Sequence, residues 1–465
     1  VDSPVRIMSY FGRANYNFAD RYLFTFTFRA DGSSKFAKSN RYGNFPSVSV
    51  GWNVAEEEFM KPAHWLDQLK IRGGYGVLGN QEIGNYLYAS TITTGINYPD
   101  GKGALLQGAF PKDFATPNIK WEETAMINFG LDLVALNNKL SFTADYYVKD
   151  TKDILLNVPI PISSGGANDP LRNAGEIRNK GFEFNLGWND RPTNDFLYGI
   201  NLIGNIMSNE VTKMGTGSQA IWSGATNLHV NACKTIAGYP IGGYWLIPTD
   251  GYFQSTEEVN AHAKNGTKIQ ANAAPGDIRF KDVNDDGIIN DNDRVYKGSA
   301  FATFTMSVNG NVVYKNFDAL VGIQGVFGNK IYNATRQTLE GANKGTNFLK
   351  TTADYWTAEN PNAAHPRLIW DDPNRNIRPE SDRYLEDGSF IRVRNIQLGY
   401  TIPTSLFNSL VQKARVYANV ENPFMFTGYS GFTPDINTSD SKSRGFDNFT
   451  YPTNRVFMLG LNVTF

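Results

Sequence analysis

One twelve-residue stretch, Asp282 to Asp293, has the residue types and spacing of a calcium-binding loop. Ca²⁺ takes six or more hard oxygen ligands, and such a loop supplies them from positions 1, 3, 5, 7, 9 and 12, with glycine at position 6. The stretch reads D-V-N-D-D-G-I-I-N-D-N-D, with Gly287 at position 6. The predicted ligands are Asp282, Asn284, Asp286, Ile288 through its carbonyl, Asn290 and Asp293. The sequence therefore predicts a Ca²⁺ site here.

Two features limit that prediction. Position 12 is Asp293 rather than Glu, and the shorter side chain makes a bidentate contact less secure. No helix pattern is evident on either side, so we expect a bare loop rather than a pair of EF-hands. The alternative is a turn whose Asp, Asn and Gly residues satisfy their own backbone. If metal binds, we expect it to stiffen a long loop and to take no part in catalysis.

No other motif predicts chemistry. Gly74 to Gly79 matches G-x-G-x-x-G, but a dinucleotide site needs a helix directly afterwards, and the preceding residues alternate as a strand. We interpret this motif as glycines at a strand end. No nucleophile elbow or triad pattern is present. We predict that the protein is not an enzyme, with no catalytic residues and no cofactor apart from Ca²⁺.

The composition excludes other classes. The 465 residues carry 44 Lys and Arg against 45 Asp and Glu, and a net charge of −1 gives no pull toward nucleic acid. Cys233 is the only cysteine, so no intrachain disulfide forms. The chain has no apolar run of about 18 residues, which excludes a helical membrane protein. The composition does not exclude a transmembrane β-barrel, because half of the side chains on each barrel strand face water.

β-Strands must position the predicted loop. The last eleven residues, Arg455 to Phe465, place an apolar residue at every second position. A period of two puts these side chains on one face of a strand. Tyr22 to Phe28 alternates in the same way, with Thr25 and Thr27 on the polar face. One apolar and one polar face fit a barrel between lipid and a wet lumen.

The alternation predicts 13 strands, whose approximate ranges are 7–18, 21–30, 44–54, 68–78, 123–134, 138–149, 177–189, 196–208, 303–314, 317–327, 389–401, 413–421 and 455–465. Short and long connections alternate strictly, and the longest are 79–122, 209–302, 328–388 and 422–454. An up-and-down barrel in a bilayer predicts this alternation. Single-chain barrels have even strand numbers, so at least one strand is expected outside this chain.

Several segments together resemble the C-terminal part of SusC/RagA-type TonB-dependent outer-membrane transporters of the Bacteroidetes. The matching segments are Arg21–Phe36, Phe45–Trp52, Leu69–Gly76 with Gly79–Asn80, Lys120–Thr124, Asp145–Tyr147 with Thr151–Asp153, Asn173–Gly181, Gly276–Asp277 with the Asp282 loop, Asp387–Asn395, Leu398–Tyr400 and the terminal Phe465. They run nearly from end to end of the chain. Together they are highly specific, although each one alone is not.

The resemblance implies an all-β fold, the C-terminal portion of an antiparallel transmembrane β-barrel of about 22 strands. It places residues 1–465 in the cell outer membrane with long extracellular loops, and it implies that the plug domain, signal peptide and TonB box are not in this chain. It further implies active import of oligosaccharides or oligopeptides. The implied partners are a SusD-like surface lipoprotein lid, the TonB-ExbB-ExbD complex and outer-membrane lipid.

Three alternatives remain open. A siderophore- or cobalamin-type TonB-dependent receptor is disfavoured by the absence of His/Tyr metal clusters. A passive pore or surface adhesin would suit a barrel without a plug. A soluble β-rich carbohydrate-binding protein is disfavoured by the alternating connection lengths.

The long loops carry aromatic residues that could stack on sugars. The candidate substrate residues are Trp222, Tyr244, Trp245, Trp356 and Trp370. The alternative for each is packing within its own loop. The sequence does not say whether the substrate is a glycan or a peptide.

Overall fold

The computed structural model describes residues 4–158, 163, 168–215, 220–225, 231–341, 347–403, 405, 411–436 and 440–465. It divides into two compact units. The first consists of Val1–Ile221 with Ile236–Tyr239, and the second of Trp222–Thr235 with Pro240–Phe465. β-Strands are the main elements of both units.

The described residues of the first unit form twelve strands. In chain order they are β1 (Ile7–Phe18), β2 (Tyr22–Ser33), β3 (Tyr42–Asn53), β4 (Leu66–Asn80), β5 (Thr91–Pro99), β6 (Leu105–Asp113), β7 (Glu122–Ala135), β8 (Leu140–Lys152), β9 (Leu155–Asn157), β10 (Leu171–Asn173), β11 (Glu176–Thr193) and β12 (Phe196–Lys213). Eight of them pair in the order β1-β2-β3-β4-β7-β8-β11-β12. β5 pairs with β6 and β9 with β10 inside the long connections.

The described residues of the second unit form the remaining strands and two short α-helices. They are β13 (Ile221–Ala225, whose first residue ends the first unit), β14 (Asn231–Thr235), β15 (Gly243–Leu246), β16 (Thr249–Tyr252), α1 (Thr256–Ala261), β17 (Ala263–Lys264), β18 (Thr267–Lys268), β19 (Ile278–Phe280), β20 (Val295–Gly298), β21 (Phe304–Tyr314), β22 (Phe317–Phe327), β23 (Lys330–Asn333), α2 (Ala334–Leu339), β24 (Leu385–Asp387), β25 (Phe390–Ile402), β26 (Lys413–Thr427), β27 (Phe446–Asp447) and β28 (Val456–Thr464). Five long strands pair in the order β21-β22-β25-β26-β28.

The 13 predicted strands are all present, eight in the first unit and five in the second. Most boundaries lie within a few residues of the prediction, because the alternation of apolar side chains continues as far as the pairing does. The largest extensions are at the loop ends, where β12 runs to Lys213 and β26 to Thr427. The extension of β12 is mostly polar, whereas β26 continues through Asn422 and Pro423 into Phe424–Phe426.

The short turns have the backbone that tight hairpins need. Ala19 and Asp20, between β1 and β2, have φ of 52° and 55°. Lys315, in the two-residue turn between β21 and β22, has φ of 52°. Positive φ at these positions matches the right-handed twist of the paired strands. These turns hold the register that keeps each strand's apolar residues on one face.

The apolar face of the long strands is exposed. On β28, Phe457 is 73% and Leu459 87% exposed, and β2 shows the same for Phe24, Phe26 and Phe28. A continuous apolar band of this kind is unfavourable in water and favourable against lipid. The buried clusters instead lie mostly among the loop residues of each unit, with Phe45 of β3 as a member of the cluster in the first unit.

Within the described ranges, no helix is both long and apolar enough to cross a membrane.

Candidate functional site

The long connections of the second unit fold into small sheets of their own. β13, β14, β15 and β20 form one sheet, and β24, β23 and β27 form another. A third pairs β16 with β19. Segments far apart in sequence, such as Tyr332 and Phe446, are thereby placed side by side. The loops therefore form an ordered structure that can hold side chains in fixed positions.

An apolar cluster packs the first two of these sheets against each other. Its buried members are Ala232, Cys233, Tyr244, Leu246, Tyr332, Ala334, Tyr384 and Phe446. The rings of Tyr332 and Phe446 stack with centroids 4.9 Å apart. The hydroxyl of Tyr244 donates to the carbonyl of Arg444 over 2.8 Å. Tyr244 does not fit its predicted role in substrate stacking, because its ring is fully buried.

Asp277 is the centre of a buried polar cluster. Its carboxylate accepts two hydrogen bonds from Arg367, at 2.6 and 2.9 Å, and one from the side chain of Asn376 at 2.8 Å. The backbone N–H of Ala274 supplies a further bond at 2.9 Å. A buried carboxylate is stable only when paired in this way. The bonds fasten the 328–389 connection to the segment that precedes the calcium loop.

Trp356 packs beside this cluster. A Cβ atom at Gly276 would lie 2.3 Å from its ring, so a glycine is needed there. The indole N–H of Trp356 donates to the side chain of Gln254 at 3.0 Å. The ring is half-buried, so loop packing accounts for much of its surface.

A second buried network surrounds Glu340. Arg336 donates to its Oε1 at 2.5 Å, and Arg383 donates to its Oε2 at 3.1 Å. Nδ1 of His365 lies 3.6 Å from Oε1. Burial by itself would raise the pKa of Glu340, but the contact with His365 and the charges of Arg383 and Arg336 outweigh burial and hold the pKa at about 2. The network is built to keep Glu340 ionised.

The predicted calcium loop is a compact Asx-rich turn. The carboxylate of Asp282 accepts the backbone N–H groups of Asp286 and Gly287, at 3.1 and 2.7 Å. Gly287 has φ of 89°, which explains the glycine at position 6. Asp293 is fully buried and accepts the N–H groups of Val283 and Asn290 through different oxygens. Each of its carboxylate oxygens keeps a second lone pair for another partner.

The other oxygen atoms of the loop that could ligate a metal are of the kind that a hard cation prefers. Asp286 accepts from Asn284 over 2.9 Å, and the hydrogen bond from Asn284 is the largest cause that lowers the pKa of Asp286. Across the described parts of the chain, no three or more His, Cys, Asp or Glu side chains converge closely enough to hold a metal ion. The oxygen donors fit Ca²⁺ by type and order. The metal site therefore stays a prediction.

Two of the predicted substrate residues lie together. The ammonium of Lys234 is 5.1 Å from the ring centroid of Trp222 and 4.6 Å from that of Trp245. Trp222 is 39% exposed and lines a cavity of about 900 Å³ in the second unit. Trp370 is 69% exposed and does not line this cavity. Of the five predicted aromatic residues, Trp222 thus lies in the cavity wall. Trp245 contacts the same lysine, Lys234, but is not part of the wall.

Sequence reasoning missed the charged residues of this cavity, including Lys234, Arg294, Arg375 and Arg378. They come from three separate parts of the chain, so no local spacing could have connected them. The only available signal was that Arg294 directly follows the calcium loop.

Comparison with known proteins decides the family. The profile of the family described as "TonB dependent receptor-like, beta-barrel" matches residues 2–423. The chain belongs to this family of TonB-dependent receptors. The exposed apolar strand faces and the loop-borne sheets are therefore features of a TonB-dependent receptor barrel. The predicted family, all-β barrel fold and outer-membrane localisation are confirmed.

Three relatives show the relationship over the whole chain. TonB-dependent receptor P3 of Formosa agariphila is 32% identical over 100% of this chain and 46% of its own length. TonB-dependent receptor SusC of Bacteroides thetaiotaomicron is 32% identical over 99% of this chain and 44% of its own length. A solved structure of the RagAB peptide transporter matches with a TM-score of 0.83 and 25% identity, covering 99% of this chain and 48% of that chain. The chain thus spans less than half the length of these relatives.

Proposed function

We propose that the complete protein imports oligosaccharides or oligopeptides across the outer membrane. The observation that carries this proposal is the 32% identity to SusC over 99% of the chain. The similar RagAB structure is that of a peptide transporter, which supports peptides as a cargo class beside glycans. The ordered loops of the second unit provide surfaces on which a substrate can be held. No residue is assigned a catalytic role.

The proposal includes two partners. The likeness to SusC and to RagAB supports a SusD-like surface lipoprotein that covers the long loops as a lid. Membership of the TonB-dependent receptor family supports energy supply by the TonB-ExbB-ExbD complex. The exposed apolar strand faces contact outer-membrane lipid.

Uptake by a deletion strain tests the import proposal. Cells lacking the gene are supplied with labelled glycans and peptides, and we expect them to lose uptake of one of these substrates. A proton uncoupler is expected to stop the same uptake in wild-type cells, because the energy comes from the proton gradient. Unchanged uptake of the whole panel would remove the support for import.

Two other results would favour the alternatives. Uptake that persists with the uncoupler points to a passive pore. Loss of ferric siderophore or cobalamin uptake in the deletion strain, with glycan and peptide uptake intact, points to a receptor of that type.

We also propose that residues 282–293 bind one Ca²⁺ ion in a structural role. Asp282, Asn284, Asp286, the Ile288 carbonyl, Asn290 and Asp293 are the proposed ligands. The order of the oxygen donors and the left-handed Gly287 support this proposal. Bound Ca²⁺ would hold together a loop in which the carboxylates of Asp282, Asp286 and Asp293 otherwise accept hydrogen bonds from the loop itself.

A further inference from the structure

The cavity of about 900 Å³ in the second unit has an excess of positively charged wall residues. Its lining contains four cations, Lys234, Arg294, Arg375 and Arg378. The acidic side chains in the same wall are Asp291 and Glu380, so cations outnumber carboxylates by two. A concave wall of one sign attracts ligands of the opposite charge.

Lys234 contributes a charge that no carboxylate of the described segments neutralises. Its ammonium lies 5.1 Å from the ring centroid of Trp222 and 4.6 Å from that of Trp245. The two indoles hold the ammonium by cation–π attraction, but they carry no net charge. The positive charge of Lys234 is therefore available to a ligand in the cavity.

Arg294 has an ionic partner in the same wall. Its side chain is 6% exposed, and one guanidinium N–H donates to the carbonyl of Asn231 at 2.6 Å. Two further N–H groups donate to Oδ1 of Asp291, at 3.1 and 2.8 Å. Because Asp291 balances Arg294, the excess of two charges comes from Lys234 and from the two arginines that share Glu380.

Arg375 and Arg378 share a single carboxylate. Both donate to Oε1 of Glu380, at 2.9 and 2.7 Å. Burial lowers the pKa of Arg378, and the charges of Arg375 and Arg294 lower it further against the effect of Glu380. Arg375 and Arg378 bond to the same oxygen and are therefore close enough to repel each other, and the charge of Arg294 acts on Arg378 in the same sense. An anionic group beside these guanidinium groups would relieve this repulsion.

The rest of the wall indicates the kind of anion. Besides the charged groups and Trp222, the lining includes the amides of Asn231, Asn290 and Asn292, and Ile289 is the one aliphatic residue in it. Amides offer both hydrogen-bond donors and acceptors, which suits hydroxyl groups. A wall with so little aliphatic surface offers no pocket for the apolar side chains of a peptide.

We propose that this cavity binds an acidic oligosaccharide, with carboxylate or sulfate groups at Lys234 and the arginines and hydroxyl groups at the asparagine amides. This inference deepens the proposed import function and rests on it, because it names the substrate class. Lys234 and Arg375 determine specificity for charge. Arg294 and Arg378 are held by the surrounding loops and complete the cationic wall.

Equilibrium binding to the complete transporter in detergent tests the inference, at a fixed Ca²⁺ concentration because Asn290 also belongs to the calcium loop. The probes are a galacturonic acid tetrasaccharide, a sulfated neutral-sugar tetrasaccharide, maltotetraose and tetraglutamate. We expect at least one acidic sugar to bind about tenfold or more tighter than maltotetraose and tetraglutamate, since each charge-assisted hydrogen bond contributes about that factor. Which of the two binds tighter distinguishes carboxylate from sulfate recognition.

Single substitutions locate the site. Lys234→Gln and Arg375→Gln should each weaken binding of the acidic sugar about tenfold and leave maltotetraose unchanged. Lys268→Gln is the matched control, because Lys268 is an exposed lysine of the same unit outside the cavity lining. If a cavity variant does not fold, raised salt with the wild-type protein replaces it, and only the acidic sugar should then bind more weakly.

Several outcomes overturn the inference. These are equal binding of acidic and neutral sugars, tighter binding of tetraglutamate, and an equal loss of affinity with Lys268→Gln. In each case cellular uptake of a glycan or peptide would leave the import proposal intact. Conversely, selective binding of the acidic sugar without uptake by cells would support the site and count against import.

Discussion

Arg72 on β4 and Asp145 on β8 form a bidentate ion pair across β7, the strand that lies between them. The guanidinium donates to the two carboxylate oxygens at 2.7 and 2.6 Å. The residue between them in register is Gly130. A Cβ atom at position 130 would lie 2.4 Å from Cζ of Arg72. Because Gly130 has no side chain, the guanidinium of Arg72 can reach across β7 to Asp145.

Gly130→Ala is therefore expected to destabilise the sheet. The methyl group displaces the guanidinium of Arg72 and breaks the bonds to Asp145, both of which are only partly exposed. We expect a loss of about 1 kcal/mol in the free energy of unfolding, because charge-assisted bonds at half-buried positions contribute about that much. The temperature at which the heated barrel unfolds and changes its mobility on a gel measures the effect.

Gly12→Ala is the matched control for this prediction. No atom lies within 4 Å of a Cβ built at Gly12 on β1. The change should leave stability unaffected or raise it slightly, since alanine restricts the unfolded chain. Equal effects of the two substitutions would contradict the role assigned to Gly130.

The strands were predictable from sequence because each one is a local pattern. The alternation from Phe457 to Val463 specifies one strand face without knowledge of its neighbours, and the structure has β28 at this place. The alternating connection lengths then indicated an up-and-down barrel in a bilayer, and family resemblance added which class of outer-membrane barrel it is. The pairing of Arg72 with Asp145 was not predictable, because the two residues lie 73 positions apart.

The loops were less predictable for the same reason. Asp277 and Arg367 meet over a separation of 90 residues, and only the folded loops bring them together. The sequence makes Tyr244 a substrate candidate because loop aromatics could stack on sugars, yet its ring is buried in one cluster with Tyr332 and Phe446. Burial within a loop depends on such distant partners rather than on residue type.

The stability of the 328–389 connection should depend on pH through the ionisation of Glu340. Its pKa of about 2 lies below the ordinary value of 4.5, so the ionised form stabilises the folded loop at every pH above about 4.5. This stabilisation is lost as the pH falls from 4.5 toward 2. The loss is on the order of 3 kcal/mol, because each pKa unit corresponds to about 1.4 kcal/mol.

Hydrogen exchange of this connection, corrected for the intrinsic effect of pH, measures that loss. Glu340→Gln should weaken protection already at neutral pH, since Arg336 and Arg383 would be left buried without a counter-charge. Its protection should then vary little over the acid range. Glu359→Gln changes an exposed carboxylate of the same connection and should keep the wild-type profile. A wild-type profile in Glu340→Gln would contradict the prediction.

Cys233 should be unreactive in the folded protein. Its side chain is fully buried, and burial raises the pKa of the thiol to about 12. Thiol reagents attack the thiolate, which is therefore both scarce and inaccessible. Alkylation by N-ethylmaleimide should be slow in the native protein and fast after denaturation.

Tyr244→Ala provides the informative variant for this thiol. Tyr244 pairs directly with Cys233 in the strand register and belongs to the same buried cluster. Its removal should open the cluster and speed alkylation, while Trp370→Ala, at an exposed position outside that cluster, should not. Rapid alkylation of the native wild-type protein would show that the cluster is not closed.

Asp282→Ala should weaken Ca²⁺ binding by the 282–293 loop so that metal is lost on dialysis. Asp282 is the first predicted ligand, and its carboxylate also accepts the N–H groups of Asp286 and Gly287. Its loss removes a charged ligand and loosens the turn around the ion. Metal content after equilibrium dialysis, together with Ca²⁺-dependent protection of the loop from proteolysis, measures the change. We expect about one Ca²⁺ per chain in the wild-type protein.

Asp285→Asn separates metal ligation from loss of charge. Asp285 lies in the same loop at a position that supplies no ligand, and its side chain is 85% exposed. Its φ of 56° is tolerated by asparagine, so the turn should persist. We therefore expect this variant to retain Ca²⁺ where Asp282→Ala loses it. Equal metal content in both variants and the wild type would reject the ligand assignment, and so would equal loss in both.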